Sequence, residues 1–185
     1  MPAQLDYDTI AKQIHEFYRA KYGGMLPYEE LPEFMKADNR EAAIRINHVL
    51  AMAGLRLVPL KEGETWLEED QQAVRKVIEE NLDLLAETEH NGWMAARIRH
   101  GWIKADKVDR EKKESHLLVP YSEFEQVIAR KRDVAGPAKF GNGPRKGEEM
   151  SLEEEVAAEK DKDRDAVNNY PNIIARTKYQ IAEEE

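Results

Sequence analysis

The chain has 185 residues, is 41% apolar and 35% charged, carries a net charge of −9 and contains no cysteine. Without thiols there are no disulfides, zinc thiolates or thiol nucleophiles. The acidic field argues against sequence-independent nucleic-acid binding, which draws its affinity from Lys and Arg on phosphates, and no run approaches the ~20 apolar residues that span a bilayer. The opening Met1-Pro2-Ala3-Gln4-Leu5-Asp6 has no basic region and no apolar run, so it does not read as a secretory signal. This composition fits a cytoplasmic protein.

The predicted elements follow in chain order. Ile10, Ile14, Phe17, Tyr18 and Tyr22 recur at helical spacing and predict a helix over about 6–22, stopped by Gly23-Gly24. Leu26 to Phe34 reads as a proline-punctuated turn and short helix. Asp38 or Asn39 can cap the next helix, whose inner face is Ala42, Ala43, Ile46, Val49, Leu50 and Ala53 and whose stop is Gly54. Leu55 to Leu60 alternates and predicts a short strand.

One long helix is expected from about Glu68 to His100, with Val74, Val77, Ile78, Leu82, Leu85, Ala86, Glu89, Trp93 and Arg97 on its inner stripe. Polar residues enter that stripe only near its end, where a site would sit. Gly101 ends the helix. The densely charged Lys104 to Glu114 reads as a solvated connection, and Leu117-Leu118-Val119 predicts a second short strand ending at Pro120. The stretch 131–150 is rich in Gly, Pro and charge and predicts a mobile loop. Ser151-Leu152-Glu153-Glu154 has the S-x-x-E form of a capping box and opens a final helix. Pro171 sits where a kink or restart is expected, and Ile173, Ile174, Thr177 and Ile181 make the last apolar face.

Two parts of this chain share an order of residues. His15-Glu16, then Pro27-Tyr28, then Asn39-Arg40-Glu41-Ala42 run parallel to His90-Asn91, Pro120-Tyr121 and Asp163-Arg164-Asp165-Ala166. The second copy is longer, with one insertion before Pro120 and a larger one before Asp163. An internal repeat fixes architecture ahead of any local reading. Two copies with apolar faces can bury them against each other about a pseudo-two-fold axis.

Glu87-Thr88-Glu89-His90-Asn91-Gly92-Trp93-Met94, Arg97-Ile98, Gly101-Trp102, Lys113, His116 and Val119-Pro120-Tyr121 resemble the RyR domain, first named from the repeats of ryanodine receptors and also found as a free-standing bacterial module. The resemblance runs over about residues 80–181 and includes a last helix from Asp163 to Ile181. Two departures stand out: His116-Leu117 replaces the family's usual His-Pro, and the link from about Glu125 to Lys160 is much longer. The resemblance implies a mainly α fold with a few short β-strands, made of two pseudo-symmetric repeats packed as one unit. The degenerate copy would span 1–62, and the RyR domain 68–185 with a flexible insertion at about 125–160. It also implies no enzymatic activity, no cofactor, and either a sensor of nucleotide-derived signals or a contact module.

His90, Trp93 and Arg97 share a helix face at i, i+3 and i+7, with Trp102 just past the helix end. Lys113, His116 and Tyr121 return in the next segment. Aromatic planes beside fixed cations suit a small anionic, nucleotide-like ligand, its base stacked on Trp and its phosphates on Arg and Lys. Arg97, Trp102, Lys113, His116 and Tyr121 are therefore the candidate ligand residues. Glu87, His90, Asn91, Trp93, Gly101 and Pro120 are motif residues of structural kind. The competing reading makes both Trp residues core anchors and the chain a protein-interaction module. No metal site is expected: the five His residues are scattered, and Glu87-x-x-His90 is half a carboxylate-helix motif without a second copy. Ser115, in Lys112-Lys113-Glu114-Ser115, has the basic flank of a phosphorylation site but reads first as an ordinary loop serine.

Overall fold

The computed structural model describes residues 4–184. The first three residues of the opening segment and the last residue of the acidic Glu183-Glu184-Glu185 terminus lie outside the described residues. In chain order the elements are α1 (Tyr7–Tyr22), α2 (Glu33–Ala51), β1 (Leu55–Pro59), α3 (Glu68–Glu80), α4 (Leu82–Arg99), β2 (Ile103–Lys104), β3 (Glu114–Ser115), α5 (Phe124–Ala135), α6 (Leu152–Ile174) and β4 (Tyr179–Glu183). Short 3-10 turns occupy Tyr28–Glu30 and Tyr121–Glu123. The fold is mainly α with a few short strands, as the sequence implied.

Several elements differ from expectation for local reasons. α2 starts at Glu33, directly after Pro32, so Asp38 and Asn39 lie inside it. Asn39 does not cap: its amide donates back to the Met35 carbonyl at 2.9 Å. The expected long helix is two helices, because Asn81 leaves helical backbone at φ −119° and its side chain donates to the Val77 carbonyl at 2.8 Å. Leu117-Leu118-Val119 is not a strand. Leu118 and Val119 are both buried, where a half-exposed strand would alternate, and the strand lies earlier, at β3, paired in parallel with β2. The last apolar face is also not helical throughout. α6 runs through Pro171 and ends at Ile174, and Ile181 belongs to β4. β4 pairs antiparallel with β1, Leu57 opposite Ile181.

The chain divides into two compact units, Met1–Glu89 with Asp165–Glu185, and His90–Arg164. The core of the first gathers Ile10 and Ile14 of α1, Ile46 and Leu50 of α2, Leu55 and Leu57 of β1, and Ile174 and Ile181 from the chain's end. Each such side chain stabilises by roughly 1.5–3 kcal/mol when fully buried. Glu89, the acid on the apolar stripe, is buried here and accepts from Arg45 Nε at 3.0 Å and from the Tyr170 hydroxyl. Burial and the neighbouring Glu89 hold that hydroxyl far above its ordinary pKa, so it stays a donor. A buried carboxylate needs such partners, and the polar intrusion at Glu89 is thereby structural.

The second unit has a smaller core of Val119, Phe124, Val127 and Ile128, flanked by Leu117, Tyr121, Leu152 and Val156. The stretch expected as a loop from 131 begins as α5, which continues to Ala135. Beyond it, Met150 N–H donates to the Ala138 carbonyl at 2.8 Å and Phe140 N–H to Glu148 at 3.0 Å, with Lys139 and Glu149 bridged antiparallel. The capping box forms: Ser151 Oγ accepts from the Glu154 amide at 3.1 Å. One turn later the buried Glu155 accepts from Lys131, from Arg132 at 2.9 Å and from the Ala138 amide at 3.2 Å. This carboxylate joins α5, the intervening turn and α6.

Candidate functional site

The candidate residues fall into two groups within the second unit. The first forms at the end of α4. Gly101 adopts φ +87°, its N–H donates to Ile98 at 3.0 Å, and Trp102 N–H donates to the Arg97 carbonyl at 3.0 Å. These two bonds are the 6→1 and 5→2 pair of a Schellman motif, which brings the side chains of C″ and C3 together. Here they are Trp102 and Arg97. The Arg97 guanidinium lies 4.8 Å from the Trp102 ring centre and 5.7 Å from that of Trp93. Both indoles are half-buried, and Arg97 has further interactions of its own. Lys113, with φ +54°, donates from Nζ to the His100 carbonyl at 3.0 Å and so sits on the same helix end. A cation there complements the carbonyl end of the helix dipole.

The second group surrounds His90, which is 3% exposed. Its Nε2–H donates to the Val119 carbonyl at 2.7 Å, and its ring packs on Tyr121 and Phe124 with centres 5.1 and 4.9 Å away. The Tyr121 hydroxyl donates to Asp163 Oδ2 at 2.7 Å, and the same oxygen lies 3.6 Å from His90 Nδ1. Lys160 of α6 covers the Tyr121 ring at 5.2 Å. The sequence placed Asp163 in a repeat step without giving it a role, and Lys160 was missed. The step shared by Asn39-Arg40-Glu41-Ala42 and Asp163-Arg164-Asp165-Ala166 was the available signal for Asp163.

The structure therefore joins Arg97, Trp102 and Lys113 on one side and His90 and Tyr121 on the other, with Trp93 touching both Arg97 and His90. His116 is buried at 5% exposure and its Nδ1 has no hydrogen-bond partner among the described residues. Burial holds its imidazole below its ordinary pKa, opposed by Glu159. Tyr121 spends its hydroxyl on Asp163. Trp93 is half-buried and belongs to neither core cluster, contrary to its place on the predicted stripe. Glu87, Asn91, Gly101 and Pro120 are exposed. Ser115 is 2% exposed and its Oγ accepts from the Leu117 amide at 3.1 Å, so it is no accessible loop serine. Among the described residues no group of three or more His, Asp or Glu could hold a metal ion, and no helix is long and apolar enough to cross a membrane.

A small helical unit with aromatic and cationic side chains at a helix end has the build of a binding or structural module. Residues 67–135 match the RyR domain, which confirms the resemblance over that stretch and places His90, Trp93, Arg97, Trp102, Lys113, His116 and Tyr121 inside it. The segment from Asp163 to Ile181 lies outside the matched residues. The RyR domain is a non-enzymatic module family. No curated protein matches the chain.

Proposed function

We propose that this chain is a binding module without catalytic activity, and that its RyR domain takes a small nucleotide-like anion at the end of α4. The observation that carries this reading is the Trp93–Arg97–Trp102 array. Two half-buried indoles are held by one guanidinium, with the Lys113 ammonium fixed at the same helix end. A heteroaromatic base stacks on an exposed indole face for roughly 1–3 kcal/mol, and the ligand's charge meets the cations. A purine mononucleotide titration read by tryptophan fluorescence and thermal shift tests it. Saturable quenching with a raised Tm is expected, and Trp102→Ala abolishes both while helical content is kept. Binding that survives Trp102→Ala, or none across the nucleotide panel, rejects the site.

A second reading, a protein-contact module, is favoured by the neighbouring Ile98 and Ile103, which are 54% and 58% exposed. It is also favoured by Tyr121 being already hydrogen-bonded inside the protein. It predicts a blank nucleotide panel and a partner whose binding depends on Ile103.

A further inference from the structure

The first turn of α5 and one face of α6 border an open groove of about 320 Å³, lined by Glu125, Leu152, Glu153, Val156, Lys160 and Arg164, with Ala157 at its edge. That volume lies at the small end of ligand pockets. None of the residues at the end of α4 lines it, so it is independent of the site proposed above. Leu152, Val156, Lys160 and Arg164 recur every four residues, so they stack on one face of α6. Their order along the helix is apolar, apolar, cation, cation.

The cations are placed ahead of any ligand. Lys160 is held over the Tyr121 ring, and Tyr121 is itself fixed by its hydrogen bond to Asp163. Arg164 is only 32% exposed and is steered by Asp161 at 2.8 Å. Glu153 lies roughly 10 Å along the helix axis from Lys160, and Glu125 enters from α5. A polyanion filling this space would meet both acids. A single anionic head at Lys160 and Arg164, with an apolar body over Val156 and Leu152, stays clear of Glu153, and the two cations outweigh Glu125.

We propose that this groove is a binding site for a small amphipathic monocarboxylate, its head on Lys160 and Arg164 and its chain on Val156 and Leu152. The test titrates the full chain with sodium octanoate, with acetate and octylammonium as comparison probes. Methyl NMR resonances of Leu152, Val156 and Ala157 report occupancy. Saturable shifts with octanoate are expected, at an affinity at least about tenfold above octylammonium, and acetate alone should not saturate them. Lys160→Gln should weaken octanoate about tenfold or more, the loss of one charge-assisted contact. Ala157→Phe, which fills the rim without removing charge, should also weaken it. The proposal is overturned if octanoate causes no saturable shift. Equal binding of octylammonium, or an affinity unmoved by both variants, overturns it equally by showing nonspecific apolar binding. Because these probes carry no base, failure here leaves the nucleotide reading of the α4 end untouched, and the reverse holds.

Discussion

His15 and His90 make the same bond. Each donates from Nε2 at 2.7 Å to the carbonyl of the residue before a proline, Leu26 in one case and Val119 in the other. In each case the proline opens a 3-10 turn, Tyr28–Glu30 and Tyr121–Glu123, and the turn's tyrosine packs on the imidazole. Leu26 and Val119 lie outside every helix and strand, so no backbone ladder supplies a donor to either carbonyl. The histidine supplies the donor. The two histidine–proline–tyrosine clamps match role for role.

The clamp sets the first prediction. His90→Ala leaves a buried carbonyl without a donor and a void beside Phe124, and should cost about 2–4 kcal/mol. His15→Ala, in a slightly more open setting at 6% exposure, should cost about 1–3 kcal/mol. Urea unfolding of both variants measures this. Losses under about 0.5 kcal/mol would show the bonds to be incidental.

The parts of the fold that were legible in the sequence are those set by neighbouring residues. α1 with its Gly23 stop, β1 and the Ser151 capping box each follow from a few adjacent positions. β4 was not legible, because Tyr179 and Ile181 become a strand only by pairing with Pro59 and Leu57, more than a hundred residues away. α5 was hidden by the glycines and prolines that follow it. At the candidate site, the four-residue spacing of Trp93 and Arg97 foretold that they would share a helix face. It could not foretell that Tyr121 would turn to Asp163, since that contact depends on where α6 lies.

Trp93 carries the second prediction. A fully buried large side chain would cost ~3–5 kcal/mol on truncation. Trp93 is only half-buried and packs on His90 with ring centres 5.6 Å apart, so Trp93→Ala should cost about 1–2 kcal/mol. Leu85→Ala, at 0% exposure on the same helix, should cost about 2–5 kcal/mol. Chemical denaturation ranks the two, and a Trp93 loss equal to or above that of Leu85 contradicts the placement.

Gly101→Ala tests how the α4 end is built. An added Cβ would meet no atom within 4 Å, so its cost is purely that of a left-handed backbone at φ +87°, about 1–2 kcal/mol. If the residue resists that conformation, the Schellman pair loosens and Trp102 leaves Arg97. A lowered Tm with red-shifted tryptophan emission is expected. An unchanged spectrum would mean that the Arg97–Trp102 stack does not depend on the turn.

Glu155 gives the pH dependence. Burial alone would raise its carboxyl pKa, but Lys131, the Ala138 amide and Arg132 together outweigh burial and hold it below the ordinary carboxylate range. In the unfolded chain a glutamate titrates near ~4.3. A pKa lowered by folding means that the folded state favours the ionised form. Its contribution is therefore complete above the unfolded value and is lost as pH falls through the folded value. Glu155→Gln removes the charge and leaves Lys131 and Arg132, at 18% and 25% side-chain exposure, without their anion. At pH 7 that should cost about 1.5–3 kcal/mol, the range for hydrogen bonds to a charged group. The difference between the two proteins should shrink on acidification below about pH 4, because the wild-type carboxyl then becomes neutral too. Urea unfolding of both from pH 7 to pH 3 measures it. A gap that stays constant over that range would show that Glu155 acts through shape and hydrogen bonding alone, with its ionisation contributing nothing.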